Sequence, residues 1–202
     1  TKADNILTKD VKQILALAKK TGKIKLILSA ERRMALFEFY SGKGNAAVKR
    51  CIKILKEWPT LHVHEIASVY NNIADIYTNK SEFKKAFHYY NLALSVKKQF
   101  GDRYGIALTY NKMGVAYWKQ GNFSEALKNY FLSVKISEDI NDLYNLGWTQ
   151  NNIGVISAHQ AKYKDALVHI KISLKIRKNI ADWKGVCASY TNLGFVYVHL
   201  KN

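Results

Sequence analysis

Apolar residues along most of this chain return every three or four positions, the spacing of one buried face of an α-helix. Tyr110, Met113, Gly114 and Tyr117 follow that rhythm, and so do Phe123, Ala126, Leu127, Tyr130 and Val134, which marks two amphipathic helices in succession. The pair recurs. At an offset of 40, YNNIADIY (70–77), YNKMGVAY (110–117), QNNIGVIS (150–157) and YTNLGFVY (190–197) come into register without a gap. The second helices repeat as EFKKAFHYYNLAL (82–94), NFSEALKNYFLSV (122–134) and KYKDALVHIKISL (162–174). Asp102, Asp142 and Asp182 recur at the same spacing, followed three residues on by Gly105, Asn145 and Gly185. Such an aspartate can accept from the orphan amides of a first helical turn and sits at the positive end of its dipole, so each marks a helix start. Small residues at Ala74, Gly114, Gly154 and Gly194, and at Ala86, Ala126 and Ala166, predict where paired helices approach closely.

Upstream the pattern is degenerate. Ala47, Cys51, Ile54 and Leu55 fit the second-helix positions with a one-residue slip, RRMALFEFY (32–40) supplies the helix before them, and Pro59 ends the unit. Residues 9–20 read as a further amphipathic helix stopped by Gly22, either a cap or the last helix of an earlier unit. The expected organisation is capping helices over 1–59, full units at 60–101, 102–141 and 142–181, and a first helix at 182–202. That last helix has no partner, which together with the start at Thr1 reads as a segment of a longer chain, or as a face for self-association.

Tyr110, Met113, Gly114, Tyr117, Ala126 and Tyr130 resemble the core of the tetratricopeptide repeat family, W-x2-L-G-x2-Y followed by A-x3-F, over residues 60–202. The unit departs from the family in being 40 rather than 34 residues long and in lacking the usual proline near its end. The resemblance implies an all-α, right-handed superhelix of antiparallel helix pairs, with the first helices lining a groove for a protein or peptide. Carried over position by position, that groove comprises Asn71, Asp75 and Thr78, then Leu108, Asn111, Val115, Trp118 and Lys119. Trp148, Asn151, Val155 and His159 continue it, followed by Thr191, Phe195, Val198 and His199. The amides of Asn71, Asn111 and Asn151 could bond an extended peptide backbone, and Trp118, Trp148 and Phe195 could anchor side chains or instead pack between units. The set with which some members grip a C-terminal carboxylate is not reproduced, since Asp75 and Leu108 stand where asparagine and lysine are needed. Long units of this kind are similar to those of bacterial signalling proteins with kinase, cyclase or DNA-binding output, and of adaptors.

Composition narrows the picture. One proline and 11 glycines in 202 residues favour long helices, and no apolar run reaches the roughly 20 residues that span a bilayer. The net charge is +17, yet only five of the 32 basic residues are arginine, so the lysines read as a solvated outer face rather than a phosphate reader. Nucleic-acid binding through that face is the reading set against an acidic protein partner and a merely solvated surface. Cys51 and Cys187 read as buried small apolar residues. No catalytic motif, cofactor or metal site is expected: His62, His64, His159 and His199 offer no converging set of three or four ligands.

Overall fold

The computed structural model describes residues 12–57 and 63–200, without the side chains of Lys25, Val63 and His64. Residues 9–11, Pro59, His62 and the His64 side chain therefore lie outside the described residues. Within them all regular structure is helical: α1 (12–20), α2 (Ile24–Tyr40), α3 (Gly44–Glu57), α4 (Val63–Asn79), α5 (Phe83–Gln99), α6 (Arg103–Lys119), α7 (Phe123–Asp139), α8 (Leu143–His159), α9 (Tyr163–Asn179) and α10 (Trp183–Leu200). The helix expected at 32–40 starts earlier, at Ile24.

Turns between helices are built alike. A residue in the left-handed region closes each described one, at Gly22, Gly42, Ser81, Gly101, Gly121, Asn141, Ala161 and Ala181. After α6 the Asn122 amide reaches the Tyr117 carbonyl at 2.9 Å and the Gly121 amide reaches Trp118 at 2.9 Å, the paired bonds that satisfy the last carbonyls of a helix. The next helix starts at once: Asp102, Asp142 and Asp182 accept from the amides of Gly105, Asn145 and Gly185 at 2.8, 3.1 and 3.0 Å. A short two-ended turn leaves successive helices antiparallel and in contact.

The chain divides into two compact units, Thr1–Val96 and Lys97–Asn202. In the first, Leu28, Ala35, Ala47, Cys51, Ile54, Val69, Ile73 and Ile76 form the core. Ion pairs rim it: Arg50 donates from Nε and Nη2 to Glu38 at 3.0 and 2.6 Å and pairs with Glu31, while Arg32 meets Glu65 at 3.0 Å. Burial pushes the Cys51 thiol up to about 12, so it stays a protonated, inert thiol at neutral pH.

In the second unit α7 packs between α6 and α8, α9 packs between α8 and α10, and α6–α8 and α8–α10 also touch. First helices thus form one row and second helices the other. Gly114 and Gly154 let the rows close: a Cβ on Gly154 would come within 2.5 Å of Ile170, and one on Gly114 would enter the Tyr130 ring. Gly194, on α10, meets nothing within 4 Å. Each junction also carries a polar staple. Buried Lys97 donates to the Gly105 carbonyl at 2.9 Å and to Thr109 at 2.8 Å; forty residues on, Ser137 accepts from Asn145 at 2.8 Å; forty further, buried Arg177 donates to the Gly185 carbonyl at 2.6 Å and to Ser189 at 3.1 Å. A long side chain on the second helix faces glycine and a short one faces asparagine. Lys97 and Arg177 correct the reading of the basic residues as a solvated face. Cys187, expected to be buried, is exposed.

Candidate functional site

The helices of the second unit bring eight of the expected groove residues into two clefts. The larger, of about 420 Å3, lies between α6 and α8 and is lined by Tyr104, Leu108, Asn111, Lys112, Val115, Tyr144, Asn145, Trp148 and Asn152. The smaller, of about 270 Å3, is lined by Val155, Ala158 and His159 of α8, Ile170 of α9 and Thr191, Asn192 and Phe195 of α10. Both walls are chiefly aliphatic and aromatic with a few amides, the composition of a site that takes apolar side chains and orients them by hydrogen bonds.

Asn111 does not offer its amide to a guest. It is buried; its Nδ2 donates to Asn145 Oδ1 at 3.1 Å and Thr149 Oγ1 at 2.6 Å, and its Oδ1 accepts from Asn152 at 3.2 Å. Asn151 is buried as well and accepts from Asn192 at 3.0 Å. The amide expected to bond a peptide backbone instead ties one first helix to the next, as an unpaired buried amide would destabilise the packing. Asn152 and Asn192, 41 residues beyond their acceptors, are the half-exposed members of each pair and line the two clefts. The column Asn72, Lys112, Asn152, Asn192, adjacent to the one read from the sequence, carries the signal that would have found them.

The three aromatic candidates differ. Trp118 packs against the core cluster of Ala126, Tyr130, Val134, Ile153 and Ile156, with its ring 6.1 Å from that of His159. Trp148 lines the larger cleft while the Arg177 guanidinium lies 4.5 Å from its ring, so it is a wall held in place from behind. Phe195 is 50% exposed, lines the smaller cleft and lies with its ring tilted 4.3 Å from that of His199. His199 in turn donates from Nδ1 to the Phe195 carbonyl at 2.8 Å and faces Tyr163 at 5.2 Å. Thr191 donates to Cys187 within its own helix, Lys119 and Val198 are exposed, and Val115 joins the cleft wall.

In the first unit Asp75 accepts from Tyr90 at 2.7 Å and buried Thr78 lies 3.3 Å from the same hydroxyl. Burial, with the Asp75 charge, holds the Tyr90 phenol well above its usual pKa, which keeps the proton on the donor. Asn71 is buried on the same helix. Among the described residues no group of three or more potential ligands could hold a metal ion, and no helix is long and apolar enough to cross a membrane.

Charge is distributed unevenly over the second unit. Not one aspartate or glutamate stands on α6, α8 or α10. Its carboxylates are the caps Asp102, Asp142 and Asp182, and Glu125, Glu138, Asp139 and Asp165 on α7 and α9.

Residues 65–139 match the sequence profile of the tetratricopeptide repeat family. No curated protein matches the chain. Among solved structures, BtubC (BKLC) of P. vanneervenii superposes with a TM-score of 0.80 at 18% identity, over 98% of this chain and 85% of that one. A signal transduction ATPase with numerous domains and a tetratricopeptide repeat sensor, from Pyrococcus horikoshii, gives 0.77 at 21% identity over 94% of this chain and 29% of that one. The apo form of RapI gives 0.73 at 16% over 97% and 55%. At these identities the likeness is one of fold. Residues 65–139 thus match the tetratricopeptide repeat family, and the 17-residue helices paired at a forty-residue period beyond them continue the same helix-pair fold that these three structures share.

Proposed function

We propose that the chain is a partner-binding module whose working surface is the row of first helices in the second unit, with a protein or peptide segment as guest. Repeats of this family are protein-interaction modules. The observation that carries the reading here is the pair of apolar, amide-edged clefts along α6, α8 and α10, into which eight of the candidates fall: Leu108, Asn111, Val115 and Trp148 in one, Val155, His159, Thr191 and Phe195 in the other. The finer reading is the sensing segment of a larger bacterial signalling protein, supported by fold likeness to part of the P. horikoshii ATPase, which carries a tetratricopeptide repeat sensor. A free-standing adaptor uses the same surface. The lysine-rich second helices are a poorer candidate for nucleic acid, because on α7 Glu125, Glu138 and Asp139 flank Lys128 and Lys135 and outnumber them.

Introducing Leu108→Arg and Val155→Arg together should abolish capture of native partners by the full chain while leaving its Tm within a few degrees. Undiminished capture by the folded variant rejects the row as the working surface. The open face of α10 favours one more contact. Gly194, Tyr197 and Val198 correspond to positions that α7 and α9 cover in the preceding pairs, and a second copy seated there would make a dimer. Light scattering on the chain and on Val198→Lys should then show a dimer and a monomer; a wild-type monomer removes that reading.

A further inference from the structure

On the second-helix row, α9 carries its charge differently from its neighbours. Lys164, Lys171, Lys175 and Lys178 follow one another at seven, four and three residues, which places them along one side of the helix, and all four are exposed. Among the described residues none of the four is in an ion pair: Lys178 donates to the Tyr190 hydroxyl at 2.8 Å and Lys171 lies 5.9 Å from the Tyr197 ring. Lysines near the starts of the other second helices are instead paired, Lys85 with Glu82 at 2.6 Å and Lys128 with Glu125 at 3.5 Å. The one carboxylate of α9, Asp165, shares the side of Ile172, seven residues on, rather than that of the lysines. Beside the stripe Val168 and Ile172 are 56% and 40% exposed, although aliphatic side chains of that size gain from leaving water.

We propose that this face of α9 docks the chain on an anionic lipid surface, with the lysine stripe at the headgroups and Val168 and Ile172 dipping into the boundary with the acyl chains. The stripe reaches the size, about four to eight clustered basic residues, at which an anionic leaflet attracts a helix. Lysine suits the task, since its aliphatic stem can lie against the acyl boundary while its amine stays with the headgroups. A nucleic acid would match the charge but leave Val168 and Ile172 in water, and the only arginine on α7 and α9, Arg177, is wholly buried and reads no phosphate. The helix lies on the bilayer rather than across it, in keeping with its length and polarity. Docking through the second-helix row leaves the α6–α8 cleft on the other row open to a guest.

The test is co-sedimentation of the full chain with vesicles of phosphatidylcholine alone and of phosphatidylcholine containing phosphatidylserine, with duplex DNA as a competing ligand. Because the whole chain carries a net charge of +17, a control of equal charge is needed: Lys49→Gln with Lys56→Gln, exposed on α3, against Lys171→Gln with Lys175→Gln on α9. Only the phosphatidylserine vesicles should retain the chain, and the α9 pair should weaken that retention about tenfold while the α3 pair changes it less than about twofold. Val168→Asn with Ile172→Asn should remove the binding that survives raised salt, which screens the lysines but not the apolar contact. Equal losses from the two lysine pairs, binding indifferent to the apolar pair, no retention by the charged vesicles, or tighter retention of duplex DNA would each overturn the proposal.

Discussion

The two units hold their helices together by different means. In the first, Arg50 is 27% exposed and gathers Glu38 and Glu31, and these partners raise its pKa above the usual arginine value by more than burial lowers it. In the second, Arg177 is wholly buried, and burial lowers its pKa by more than Asp182, 3.8 Å away, raises it. One arginine is better solvated by the protein than by water; the other is held by packing against Trp148 and by the Gly185 and Ser189 oxygens in spite of its charge. Charged pairs near solvent tolerate irregular spacing, so the first unit can slip its register. Buried staples demand matched sizes at each junction, so the second unit repeats closely.

The largest expected effect separates the two arginines. Arg177→Ala leaves the Gly185 carbonyl without its buried donor and a void beside Trp148, and should lower the stability of the second unit by about 3–5 kcal/mol in urea unfolding followed by hydrogen exchange. Arg50→Ala should cost about 1 kcal/mol, confined to α2–α4 and reduced by salt. Equal losses would mean that the two units are not stabilised differently.

Next in size is a swap of junction types. Asn145→Gly alone loses the bonds to Ser133 and Ser137, and Ser137→Arg alone crowds Asn145; the double variant rebuilds the Arg177–Gly185 arrangement. A double-mutant cycle should give about 1–3 kcal/mol of favourable coupling, and additive losses would contradict the size-matching rule. Smaller still, Ala161→Gly and Ala181→Gly relieve left-handed backbone at φ 58 and 55 and should each raise stability by about 1 kcal/mol by thermal unfolding. The smallest effect concerns pH. His169, hydrogen-bonded through Nδ1 to Gln150 at 2.7 Å, is pushed below the usual histidine pKa chiefly by burial. The unfolded chain therefore takes up its proton first, so this contribution is complete above about pH 6.5 and lost as pH falls through the folded value. His169→Gln should flatten the decline in Tm between about pH 7 and pH 5.

Much of this was legible in the residues. The forty-residue period, the aspartate caps and the small residues at helix crossings all report local geometry that each segment sets for itself. The use of Asn111 was not legible, because a polar residue on a first helix looks the same whether it faces a guest or Asn145, Thr149 and Asn152. Lys97 and Arg177 were hidden for a similar reason: in a chain with 27 lysines a buried cation has no compositional mark. Its mark is relational, in the glycines at 105 and 185 that make room for it where Ser137 faces asparagine.

The most direct measurement places a photoreactive benzoylphenylalanine at Leu108, in the α6–α8 cleft, and separately at Leu132, exposed on α7, and irradiates each full chain with its bound peptide. The account predicts an adduct from position 108 and none from position 132. An adduct from 132 with silence at 108 would put the guest on the opposite row of helices and contradict it.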